Sequence, residues 1–139
     1  MKRYVSEVGS QWVLSWIEPS AGDVTVISEL ATVEIFSSLA RRGRENLFNV
    51  NILQRLQSDY LLHVEKEYLT VPLDSLVLVQ ARTLVNKYPL RALDAVQLAC
   101  AARATAILNE PMVFVSADNN LLRIASTEGF ATDNPNAHP

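Results

Sequence analysis

The chain has 139 residues, a formal net charge of −3 and an isoelectric point near 5.3. A chain of this length is most simply one domain and buries roughly 68% of the surface its unfolded form exposes, so a core needs neither a disulfide framework nor a structural metal. The acidic balance excludes a protein that holds nucleic acid through its overall field, and any such partner must be held by a local basic patch or through a cation.

In chain order, a short helix is predicted over 10–18, stopped by Pro19, followed by the β-branched run VTVI at 24–27. Helices are expected over about 29–42 and 45–63, then an extended piece at 68–71 and a helix over 75–88 closed by Pro89. The apolar stretch LRALDAVQLACAARA, 90–104, makes the next helix, and MVFV at 112–115 leads into a last helix over 120–127. Residues 1–131 form the domain, and TDNPNAHP, 132–139, has the composition of a disordered tail. Short strands between longer helices imply an α/β layer with a mostly parallel sheet.

Cys100 is the only cysteine and sits within the apolar stretch, where it acts as a small hydrophobe; a reducing, cytoplasmic setting is expected. The nearly apolar run 92–102 is broken by Asp94 and Gln97 and is too short to span a bilayer, and MKRYVSEVGS carries no apolar signal segment, so no membrane partner is expected.

In parallel α/β sheets the functional crevice lies beyond the carboxyl ends of the strands, which makes three acids informative. Asp118 follows MVFV at such an edge, although an aspartate before NNLLRIA is also a favoured helix N-cap worth about 1 kcal/mol. Glu34 has Ala31, Ser37 and Ser38 as helical neighbours, leaving room beside its carboxylate, and could equally be a solvated helix glutamate. Asp94 is harder to explain away. An early helical turn favours a negative charge by roughly 0.3–1 kcal/mol, but burying an unpaired carboxylate costs several kcal/mol. It needs a cation or strong donors, and Arg91, three residues earlier, could reach the same face.

Three carboxylates at such positions suggest a shared solution, neutralisation by a divalent ion. Hard oxygen donors without a Cys or His cluster point to Mg²⁺ or Mn²⁺ rather than zinc; His63 and His138 lack metal-type spacing. The basic patch in ARRGRE, with Arg41, Arg42 and Arg44, sits at a helix end, where it also complements the helix dipole.

The runs VISELATVEIFSSLARR, LRALDAVQLACA and FVSADNNLL, in that order, resemble the PIN domain, and within it the VapC-type toxins of bacterial type II toxin–antitoxin pairs. The resemblance implies a three-layer α/β/α fold with a short, mostly parallel sheet, and an endoribonuclease that uses Mg²⁺ or Mn²⁺. It places the family's second, third and fourth acids, catalytic and metal-binding, on Glu34, Asp94 and Asp118, with the Ser116 hydroxyl behind them and Arg41 and Arg42 against the RNA backbone. It also implies three partners: RNA, a cognate VapB-like antitoxin and a second copy of the chain. The family's first acid lies in a hydrophobic strand that runs into a segment like KRYVSEVGSQWV. Here Met1 stands where that strand has ended, and no acid precedes Glu7. The chain is therefore expected to be truncated relative to the family, and the second reading is a catalytically impaired module that binds an antitoxin or itself. A receiver-type phosphoacceptor fits poorly, since VTVI is followed by Ser28 rather than an aspartate.

Overall fold

A computed structural model describes residues 1–139. Six helices and four short strands follow one another in the order α1 (Ser10–Ile17), β1 (Thr25–Ser28), α2 (Leu30–Arg44), α3 (Val50–Lys66), β2 (Tyr68–Val71), α4 (Ser75–Lys87), α5 (Ala92–Leu108), β3 (Val113–Val115), α6 (Asn119–Thr127) and β4 (Ala131–Asp133). Local chemistry sets most boundaries. Asn49 and Asp74 accept hydrogen bonds from the third residue after them, Ile52 and Val77, each at 2.9 Å, and so cap α3 and α4. The chain leaves α5 through Asn109 in the left-handed conformation, φ 52°. The helix expected from residue 45 begins only at Val50, because Asn46 turns left-handed (φ 56°) and Asn49 starts a new helix.

All pairing is parallel, but the strands form two separate ladders, β1 with β2 and β3 with β4. In the first, Ser28 faces Val71 and the Glu29 N–H donates to the Val71 carbonyl at 2.9 Å. By strand alternation the peptide groups of Val26 and Ser28 point away from β2. In the second, Val115 faces Asp133 and the Ser116 N–H donates to the Asp133 carbonyl at 3.2 Å, so Val113 and Val115 present their peptide groups away from β4.

Helices flank β1 and β2 in two groups, α2 with α3 and α4 with α5, which gives an α/β layering. Val71, α4, α5 and α6 share one core, including Val77, Leu84, Leu98, Cys100 and Ile124, and Val26 of β1 and Phe114 of β3 pack against that same cluster. α5 is apolar on all sides and buries Ala95, Leu98, Ala99, Cys100 and Ala104. No residue of β3 or β4 is fully buried, and Val113 is 59% exposed, unlike a parallel strand covered on both faces.

Within 132–139, expected as a disordered tail, the structure places the end of β4 and a 3₁₀ turn. The turn, over Pro135–Ala137, docks on α1, where the His138 and Trp12 rings stack at 4.3 Å. Gly9 (φ 81°), before α1, lies so close that a Cβ there would stand 2.1 Å from the Pro135 carbonyl oxygen. At the other end, Arg3 donates to the Tyr68 hydroxyl at 2.8 Å and the Tyr4 hydroxyl meets His63 Nδ1 at 2.9 Å, pinning the first residues to α3 and β2.

Candidate acidic site

Asp94 lies in the first turn of α5, where the chain emerges from Pro89. Its half-buried carboxylate accepts from Arg91 Nε at 2.9 Å, and the same guanidinium reaches Asp118 Oδ2 at 3.6 Å. The cation demanded by a carboxylate in an apolar helix is thus Arg91, and that one cation is shared with Asp118. The bond to Asp94 in turn raises the Arg91 pKa further.

Asp118 uses its two oxygens differently. Oδ1 accepts from the N–H groups of Asn120 (2.9 Å) and Leu121 (3.1 Å), so the N-cap expectation holds for this oxygen, while Oδ2 faces Arg91. The Ser116 hydroxyl accepts from the Asp118 N–H at 3.1 Å; it shapes the backbone at Asp118 rather than touching the carboxylate.

Glu34, in the second turn of α2, is bound by Gln97, whose Nε2 donates to Oε2. Burial pushes its carboxyl above the usual range; the Gln97 hydrogen bond opposes this, and the Asp94 charge adds to it. Glu34 and Asp94 are therefore electrostatic neighbours. Gln97 was not among the residues predicted for the site, although its spacing of three from Asp94 puts both on one face of α5. One turn further on, the buried Cys100 thiol donates to the Ser28 hydroxyl at 3.4 Å, and burial holds its pKa up. Ser28 also accepts from the Leu30 N–H at 3.1 Å, joining the end of β1 to the start of α2.

The donors suit a hard divalent cation in kind, being carboxylate oxygens without thiolate or imidazole. Two of the three already share one cation, the Arg91 guanidinium. The three carboxylates are not gathered closely enough to form a ligand cluster by themselves. Arg41 lies two turns beyond Glu34 on the same face of α2, about 10 Å along the axis, with its side chain in solvent. Arg42 is engaged, donating to Ser38 Oγ at 3.2 Å and pairing with Glu7 at 3.7 Å. The open apolar groove lined by Leu78, Val79, Val85 and Val96 lies between α4 and α5; Val96, two residues from Asp94, belongs to a different face of α5.

Parallel strand pairs flanked by helices, with Asp94 in the first turn of α5 and Asp118 between β3 and α6, define an α/β domain with two acids at element ends. The match to the PIN domain family spans residues 4–126, nearly the whole chain, and the chain belongs to that family, whose members are in general nucleases. No curated protein and no solved structure matches it. No helix is long and apolar enough to cross a membrane.

Proposed function

We propose that this PIN domain is an endoribonuclease of the VapC toxin type, dependent on Mg²⁺ or Mn²⁺, with Asp94, Asp118 and Glu34 as its acids. The observation that carries the reading is the Asp94–Asp118 pair bridged by one guanidinium, with Glu34 in electrostatic contact, at the site edge of a PIN fold. A bound divalent ion supplies a water of lowered pKa and stabilises charge on the scissile phosphate. Asp94 and Asp118 Oδ2 would hold the ion. Gln97 fixes the orientation of Glu34, whose raised affinity for protons suits it to take a proton from a water at the site. Arg41 is the exposed cation on the Glu34 face of α2 and receives the RNA backbone, whereas Arg42 is already paired. The partners proposed with this activity are RNA, a VapB-like antitoxin and a second copy of the chain, in the cytoplasm.

A second reading is favoured by the split sheet. Outward-facing peptide groups on β1 and β3, two strands packed on one core, leave ladder edges on which a partner's strand could pair. In this reading the chain is a catalytically impaired PIN module that binds an antitoxin or a second copy of itself.

Two measurements test the proposal. Melting in millimolar Mn²⁺ should raise the Tm of the wild type and leave Asp94→Asn nearly unmoved, because an ion bound only by the folded state stabilises it; equal shifts in both would remove the acids from the site. Cleavage of a mixed RNA should then be compared between this chain and one extended ahead of Met1 by about ten residues of strand-and-aspartate type, enough for one strand and its exit. The extension should accelerate Mn²⁺-dependent cleavage, with Asp94→Asn silent. Equal rates from both chains would make the first acid dispensable.

A further inference from the structure

We propose that Arg91 is a built-in counter-cation of this site, a competitor for the same carboxylate oxygens that a divalent ion would take. The inference rests on the metal-site reading above and concerns what occupies the acids before an ion arrives. Asp118 has one oxygen committed to the α6 backbone, so Oδ2 is its only outward ligand, and Oδ2 is the oxygen that Arg91 approaches. On Asp94 the guanidinium again holds Oδ2, at 2.9 Å. The Arg91 side chain has no other partner in the structure. It stands at the N-cap of α5 but makes no side-chain cap bond there, and its only ionic partners are these two carboxylates.

Its side chain is 80% exposed, which makes the pairing a screened and readily broken one. Arg91 is therefore a tunable competitor rather than a lock. A divalent ion must displace a charge that already satisfies part of the field, and the freed guanidinium, tethered at the start of α5, remains at the rim of the site. By linkage, any polyanion that draws Arg91 away from the carboxylates raises their affinity for the cation, and bound cation raises affinity for the polyanion by the same factor.

The test is calorimetric titration of Mn²⁺ into the RNA-free chain, comparing wild type, Arg91→Met, which keeps the aliphatic stem without the charge, and Arg91→Lys. Removing one positive charge adjacent to a divalent site should tighten Mn²⁺ binding about three- to tenfold at low salt, the gain shrinking as added salt screens it. Arg91→Lys should stay near wild type. Binding by Arg91→Met where the wild type shows none supports competition in its strongest form. Equal affinities for wild type and Arg91→Met, or weaker binding by the variant, overturn the competition while leaving the metal site standing. Absence of Mn²⁺ binding in every chain, or binding that survives Asp94→Asn, sinks the metal-site reading itself and the inference with it.

Discussion

Asp118 offers the sharpest separation of structure from function, because its two carboxylate oxygens face different tasks. Oδ1 satisfies two N–H groups at the start of α6, a nine-residue helix that buries Leu121, Leu122, Ile124 and Ala125. Truncation to alanine removes both bonds at the N-cap, a loss of about 1 kcal/mol and up to about 2. With an unfolding entropy of about 2.1 cal/mol/K per residue, a chain of 139 residues loses roughly 3–7 °C of Tm for that range. Asparagine caps as well as aspartate, so Asp118→Asn should melt within about 2 °C of wild type. The metal response should sort the variants differently. At ten times its Kd an ion stabilises the folded chain by about 1.4 kcal/mol, some 5 °C here, and both variants should lose most of that gain because both lose the anionic Oδ2. Thermal melts with EDTA and with Mn²⁺ read both effects. If Asp118→Asn falls as far as Asp118→Ala in EDTA, the charge rather than the cap holds α6. If it keeps the full Mn²⁺ gain, Oδ2 is not a ligand.

Gly9→Ala should cost roughly 2–3 kcal/mol in chemical denaturation, since its left-handed φ and the Pro135 carbonyl 2.1 Å from the new Cβ both oppose it. Gly22→Ala, left-handed but with nothing within 4 Å, should cost only about 1 kcal/mol, and equal losses would mean that the Pro135 contact does not hold α1. His63 is kept below its ordinary pKa of 6.5 by burial first and by Arg3 second, so the folded chain binds its proton more weakly than the unfolded one. Its contribution to stability is present at neutral pH and is lost as pH falls through about 6.5 and below. Melts from pH 7.5 to 5.0 should show a steeper fall for wild type than for His63→Gln, and parallel curves would refute this.

Much of the architecture was legible in the sequence because it rests on local chemistry. The β2 boundaries, the stop at Pro19 and the Asp118 cap follow from periodicity and side-chain type, and the structure places them as expected. The start of α3 had a signal, Asn49, masked by the apolar Leu47 and Phe48, whose spacing continues the helical pattern. β4 had no local signal: three residues, Ala131 to Asp133, become a strand because β3 offers a ladder and α6 a surface. In the site, Asp94's need for a cation was readable from its apolar helix, and Arg91 was within reach by spacing. That Arg91 spans to Asp118 as well depends on how α5 and α6 pack, which no window of sequence contains. The same holds for Gln97, whose contact with Glu34 joins residues 63 positions apart.

The separation of the two ladders has a consequence for how the domain yields. Backbone hydrogen bonds tie β1 to β2 and β3 to β4, but only side chains join one pair to the other. Amide exchange would show whether these two blocks open separately or together through the core they share. Asp94 and Glu34 are anchored beside the first block through α5 and α2, whereas Asp118 belongs to the second. The acidic site thus straddles a seam, and its persistence is set by how firmly the two blocks dock rather than by the rigidity of either.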